Sequence, residues 1–181
     1  MSLKSHNLQD PDCIFAGRSL TQFDLYLSTM SPTPGLNSVK IVAIDSSTRL
    51  REPVCDSQDS EGFSLHIPVV DTIPAIRERR QLVMGEEAGL MPLMLEDGRV
   101  RLSQYGHSVY FELSRARRSW NSYNLAALYW RMKGNAFESI ECLRRALFFG
   151  GTKESQTVSL VSLGNVLHQS LRSEDAATVL G

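Results

Sequence analysis

The sequence predicts an all-α protein, a fragment of a solenoid of antiparallel helical hairpins preceded by a largely irregular N-terminal region with one or two short strands. Helical periodicity starts near Ser103 and continues to the C-terminus. Glycine-containing turns at residues 134–135 and 150–151 divide that stretch into helices of similar length. Residues 1–75, in contrast, are dense in Ser, Thr, Pro, Gly, Asn and Asp, a composition that buries little apolar surface.

The same change of pattern divides the chain into three parts. Residues 1–75 are expected to be irregular or partly extended, residues 76–118 to form a helical linker and a lead-in helix, and residues 119–181 to form about one and two-thirds repeats.

Two β-rich runs interrupt the irregular part. Residues 39–44 are rich in Val and Ile, and residues 63–70 form a weaker run because Pro68 disfavours a central strand. The alternatives are that the runs pair as two strands, or that they lie against the helices as extended segments, since an isolated strand pair is marginal.

The linker is expected to contain a short helix at residues 76–84, which glycines and a proline between residues 85 and 92 then interrupt. The lead-in helix is expected to start with Ser103 as its N-cap. Its apolar face has a four-residue spacing and consists of Tyr105, Val109 and Leu113.

Four helices are predicted after residue 118, at about residues 119–133, 136–149, 153–169 and 173–181. Asn135 is placed to cap the second of them, and Gly150-Gly151 to end it.

An internal repeat relates these helices. Leu125 aligns with Leu163, 38 residues later, and Ser139 aligns with Ala176, 37 residues later. That offset is near the roughly 34 residues of a tetratricopeptide repeat, in which small residues let paired helices approach closely. The residues that define the repeat are Leu125, Ala126, Tyr129, Ser139, Leu143, Ala146, Leu163, Gly164, Leu167 and Ala176.

Several blocks also resemble one family, that of tetratricopeptide repeat protein 17. The hairpin pattern does not require Trp130-Arg131 or Val166-Leu167-His168, so these residues distinguish this family from other tetratricopeptide proteins. The resemblance extends over about residues 10–27 and 103–180, and its N-terminal blocks are Asp10-Pro11-Asp12-Cys13-Ile14 and Phe23-Asp24-Leu25-Tyr26. It implies a longer protein that acts as a scaffold in actin filament polymerisation and cilium assembly, with actin-regulatory or ciliary partners.

The repeat predicts a concave protein-binding face on the first helix of each hairpin. Its polar character suits an extended peptide whose backbone or carboxylate the asparagines and the arginine would bind. The rival interpretation is that these residues are solvated or covered by the N-terminal segment. The candidates are Asn124, Ala127, Arg131, Asn165, His168 and Gln169. A generic tetratricopeptide adaptor or chaperone-binding module is the alternative function.

Other classes of function lack their signals. A net charge of -1 gives no reason to expect nucleic acid, and the chain has neither a nucleophile elbow nor a phosphate-binding loop. The four histidines lack zinc-site spacing. We therefore expect no enzyme activity, cofactor, metal or small-molecule substrate, and the lack of a long apolar run predicts no transmembrane segment.

The three cysteines are Cys13, Cys55 and Cys142. Cys142 is expected to be a small buried apolar residue of a repeat helix. Cys13 and Cys55 are either two unpaired thiols or a disulfide, the latter if a full-length form enters the secretory pathway. The sequence otherwise predicts a cytoplasmic protein, and the resemblance implies that it is cytoskeleton-associated.

Overall fold

The structure is a computed structural model that describes residues 39–55, 65–95 and 98–181. Within those residues it contains eight α-helices and no strand. A 3-10 turn, Arg79–Gln81, lies between the second and third helices. The helices are α1 Pro68–Asp71, α2 Pro74–Arg77, α3 Leu90–Met94, α4 Leu102–Arg115, α5 Trp120–Met132, α6 Ala136–Phe149, α7 Lys153–Gln169 and α8 Ser173–Leu180.

Helices α5 to α8 form two consecutive helical hairpins, α5 with α6 and α7 with α8, and α6 packs on α7. Side chains cap three of the four N-termini: Ser119 accepts from the Ser122 amide, and Asn135 from the Glu138 amide. Thr152 and Ser155 form a reciprocal capping box at α7. The four predicted helices and the cap at Asn135 are confirmed.

Small residues allow close packing inside each hairpin. The Ser139 hydroxyl of α6 donates to the Ala127 carbonyl of α5 across 3.3 Å. Gly164 of α7 leaves room for Leu180 of α8, whose side-chain carbons lie 2.9 Å from where a Cβ would stand. The ten repeat-defining residues are all buried.

Helix α4 packs on α5 through Gly106, because the Tyr129 ring occupies the place of a Cβ there. The expected cap at Ser103 is wrong, since α4 begins at Leu102 and Arg101 is its N-cap without a side-chain hydrogen bond.

The structure does not support a strand at residues 39–44 and favours the alternative, in which this run lies against the helices. The Val42 backbone bonds to helix side chains instead, its amide donating to Ser108 Oγ at 3.0 Å and its carbonyl accepting from Gln104 Nε2 at 3.1 Å. Of the second predicted strand, residues 63–64 lie outside the described residues and Pro68–Asp71 is helix α1. Residues 39–55 therefore lie against the helices without regular secondary structure, with a turn at residues 46–47, and are called the first N-terminal segment below.

Residues 65–95 form the second N-terminal segment, which contains α1 to α3. The single helix predicted at residues 76–84 is instead split into α2 and the 3-10 turn. Helices α1 and α2 each start at a proline, which fits the first helical turn, and the residue before each proline is extended. The division of the chain at residues 75 and 118 stays a prediction.

Candidate functional site

The six predicted partner-binding residues differ in their exposure. Asn124, Ala127 and Asn165 are buried, and Arg131 is only 1% exposed. His168 is exposed and Gln169 is half-buried. Partner binding by this set stays a prediction, but most of its members face the chain's own atoms.

Arg131, near the C-terminal end of α5, binds a carboxylate of the same chain. Its Nε and one terminal nitrogen donate to the two carboxylate oxygens of Glu87, at 2.9 and 3.1 Å. Its other terminal nitrogen donates to Ser162 Oγ of α7 at 2.8 Å. Gln169, at the end of α7, also donates to the Glu87 carboxylate. The carboxylate chemistry expected of Arg131 is thus present, with a ligand from the second N-terminal segment.

The backbone around Glu87 is fixed in the same place. The Glu87 amide donates to the Arg131 carbonyl at 3.1 Å. At the turn after α5, Gly134 has φ +70°, and a Cβ there would stand 3.0 Å from the Glu86 nitrogen and the Gly85 carbonyl carbon. The second N-terminal segment therefore crosses the hairpins beside their turns.

Burial raises the pKa of Glu87, even though the charge and hydrogen bonds of Arg131 act in the opposite direction. The ionised pair thus recovers only part of the hydration that Glu87 loses, as is common for buried ion pairs.

Asn124 and Ala127 hold helices together. Asn124 Nδ2 donates to the Trp120 carbonyl within α5 and to Ser159 Oγ of α7, at 3.0 and 2.9 Å. His168 instead lies at the surface, where its Nδ1 and Ser173 Oγ are 3.0 Å apart. Among the six candidates, His168 and Gln169 have the most solvent-accessible surface.

A second ionic cluster joins the second N-terminal segment to α6. Arg144 donates from Nε to Asp71 at 2.7 Å and also binds Glu141, which accepts from Arg79 and Arg145 as well. No local pattern in the sequence shows that Arg79 pairs with a buried glutamate.

Burial acts to raise the pKa of Glu141 and of Asp71, but the arginines outweigh it. Hydrogen bonding by Arg79 and the charges of Arg144, Arg79 and Arg145 lower the pKa of Glu141 below its ordinary value. Hydrogen bonds from Arg144 and the Ile67 amide lower the pKa of Asp71 in the same way. Both carboxylates therefore stabilise the fold in their ionised form.

A disulfide joins Cys55 to Cys142, whose Cα atoms are 5.2 Å apart and which are separated by 87 positions. Two expectations are therefore wrong: Cys142 is not a free buried thiol, and Cys55 does not pair with Cys13, because its sulfur is already bonded. Local sequence patterns carry no signal for a pairing over this separation.

Hydrogen bonds surround the disulfide and fix the first N-terminal segment on α5. Trp130 Nε1 donates to the Pro53 carbonyl at 2.7 Å. The Tyr129 hydroxyl donates to Glu52, which also pairs with Lys133. The discriminating Trp130-Arg131 pair thus anchors both segments, the tryptophan to the first and the arginine to the second.

Among residues 39–55, 65–95 and 98–181, no cluster of three His, Cys, Asp or Glu side chains is arranged to hold a metal ion. None of the helices in the described ranges combines the length and apolar character needed to cross a membrane.

Comparisons with known proteins identify relatives along nearly the whole chain. Tetratricopeptide repeat protein 17 of Homo sapiens is 30% identical over 97% of this chain, as is the protein of that name from Rattus norvegicus. That of Danio rerio is 28% identical over 95% of the chain. No protein-family model and no solved structure matches. The chain spans 16% of the human relative and 15% of the other two. With this similarity and its helical hairpins, the chain belongs to the tetratricopeptide repeat protein 17 family.

Proposed function

We propose that this chain is part of a scaffold that binds actin-regulatory or ciliary proteins and acts in actin filament polymerisation and cilium assembly. The observation that carries the proposal is the similarity to tetratricopeptide repeat protein 17 along 97% of the chain. The helical fold of the described residues supports a non-enzymatic binding role, because stacked hairpins present extended surfaces to other proteins. The roles in actin and cilium biology rest on the resemblance described above.

The location of the protein is a further part of the proposal. Two locations are considered. A cytoskeletal role requires the cytoplasm, where thiols are kept reduced. The Cys55–Cys142 disulfide supports the secretory pathway, the alternative for a full-length form, because buried structural disulfides form and persist in oxidising compartments.

Affinity capture from ciliated cells tests the scaffold. The tagged chain is compared with His168→Glu, which places a charge on the exposed end of α7, and with Thr157→Glu, an exposed control near the start of that helix. Actin regulators or ciliary proteins captured by wild type and Thr157→Glu, and lost with His168→Glu, would support the proposal and place the site.

Capture of chaperones alone would favour the generic adaptor instead. Enrichment of neither class by the folded chain would count against the proposed scaffold. Alkylation of thiols before cell lysis gives the redox state: a Cys55–Cys142 bond present inside the cell indicates the secretory pathway, and two alkylated cysteines indicate the cytoplasm.

A further inference from the structure

We propose that residues 82–90 are an internal ligand of the hairpins, and that the site they occupy binds an acidic peptide of a partner protein when they leave it. The proposal rests on the scaffold function and adds the chemistry of the partner. Its core is the contact between Glu87 and the donors Arg131 and Gln169, with Ser162 Oγ accepting from the remaining terminal nitrogen of Arg131.

The site has the features of a peptide receptor. Arg131 and Gln169 lie on different helices, α5 and α7, and both donate to one carboxylate. Arg131 makes two parallel bonds to it, which is the geometry that selects a carboxylate over other groups. The Arg131 carbonyl also accepts from the ligand's backbone amide, so the main chain is bound as well as the side chain.

The flanking residues extend the recognition pattern. Met84, three positions before Glu87, and Leu90, three positions after it, are both buried in the common core. Val83, directly before Met84, and Glu86, directly before Glu87, face solvent, Val83 with 82% of its surface exposed. The matching partner segment is an acidic residue with an apolar side chain three positions away on each side. Because the chain continues past Glu87, the acid recognised is an internal side chain rather than a C-terminal carboxylate.

Several features make the internal ligand displaceable. Residues 82–87 have no regular secondary structure, and Gly85 has open space where a Cβ would stand. The buried ion pair compensates the lost hydration of Glu87 only in part. A peptide that brings the same groups replaces each contact, and it displaces the internal ligand once its concentration exceeds the effective concentration of the tethered segment, about millimolar for a short flexible link.

The test uses the chain's own ligand as a peptide. A fluorescein-labelled peptide of residues 82–91, LVMGEEAGLM, is titrated with the full chain and followed by fluorescence anisotropy. The variant Met84→Ser/Glu87→Ala weakens the internal ligand. The matched control Val83→Ser/Glu86→Ala makes the same changes at the two exposed neighbours.

We expect the Met84→Ser/Glu87→Ala chain to bind the peptide about tenfold or more tightly than wild type and the control variant, since the internal competitor no longer holds the site. A peptide with Gln at the second glutamate is expected to bind about tenfold more weakly, because the charge-assisted bonds to Arg131 are lost. Equal binding by all three chains, or equal binding of both peptides, would overturn the proposal.

Hydrogen exchange of the wild-type chain keeps the test decisive if the double variant does not fold. The Glu87 amide is expected to exchange through a local opening, faster than the amides in the middle of α5 and α7. If the Glu87 amide exchanges only on global unfolding, together with the amides of α5 and α7, then residues 82–90 are a permanent part of the core and the proposal is overturned. Neither measurement needs an actin or ciliary partner. Failure of the capture experiment alone would therefore count against the proposed function without contradicting this inference.

Discussion

Removing the Cys55–Cys142 disulfide is expected to cost a large part of the stability of the protein. The comparison is made in a Cys13→Ala background, so that no third thiol can exchange with the bond. Cys55→Ala/Cys142→Ala is the perturbation, and chemical reduction of the unsubstituted pair is its control, because reduction leaves the side-chain volume at the buried Cys142 site unchanged.

The magnitude follows from the length of chain that the bond closes. For a separation of 87 residues, loop-closure entropy gives a loss of about 4.6 kcal/mol at 25 °C. A domain of ordinary stability has about 5–15 kcal/mol in total, so the loss is about 30–90% of it. The unfolded chain gains conformational entropy when the disulfide is removed, whichever contacts stabilise the folded state. Hydrogen bonds such as that from Trp130 to the Pro53 carbonyl therefore do not compensate for loss of the disulfide.

Urea unfolding followed by circular dichroism measures the effect. With an m-value of about 2 kcal/mol/M, the midpoint is expected to fall by about 2 M. The m-value is expected to rise, because an unfolded chain without a cross-link exposes more surface. A loss below about 1 kcal/mol in both the variant and the reduced protein would refute the reasoning. Peptide mapping without reduction, showing Cys55 and Cys142 in separate fragments, would refute the pairing itself.

Three further changes test single contacts by urea unfolding. Gly134→Ala is expected to destabilise the protein by about 1–3 kcal/mol, since it adds left-handed strain and a collision with the second N-terminal segment. Gly98→Ala is the control, because Gly98 has φ +86° with open space around it and the substitution adds the strain alone. An equal loss of stability in the two variants would exclude the collision. Leu171→Asn should stabilise by about 0.5–1 kcal/mol, because Leu171 has φ 60° and is 90% exposed; a loss would show that its side chain is needed. The pKa of Asp71 is lowered in the folded protein, so its contribution to the free energy of unfolding is present above its ordinary pKa of 3.8 and is lost as the pH falls through the folded pKa. Asp71→Asn should therefore destabilise the protein at neutral pH, and progressively less below pH 3.8. A loss of stability that does not change with pH would show that pairing with Arg144 is not the cause.

The sequence predicts the helices from residue 119 onward because their signals are local. Apolar periodicity, the cap at Asn135 and the turn glycines all act within one or two helical turns. The prediction of a cap at Ser103 was wrong because the helix starts one residue earlier, at Leu102. Arg101 precedes it in an extended conformation, although its side chain has no acceptor with which to cap the helix. A local signal therefore fixes the existence of a helix more firmly than its first residue.

The N-terminal segments were not predictable in the same way, because contacts between distant residues define them. Val42 meets Ser108 across 66 positions, and the Ala75 amide meets Asp175 across 100. For the candidate site, sequence reasoning identified Arg131 and its preference for a carboxylate. It missed Glu87, since nothing in the spacing of the two residues shows that a glutamate 44 positions earlier is the ligand.

The two segments also contribute to the core of the two hairpins. Two hairpins bury little surface by themselves, and repeat arrays usually need about three units. Here Cys55, Val70, Ile76, Met84 and Leu90 belong to the same buried cluster as the hairpin residues. The segments therefore add apolar surface to the core of the two hairpins. Since the similarity to the relatives extends over 97% of the chain and includes both segments, we expect the corresponding part of those proteins to fold as one unit with its own covering.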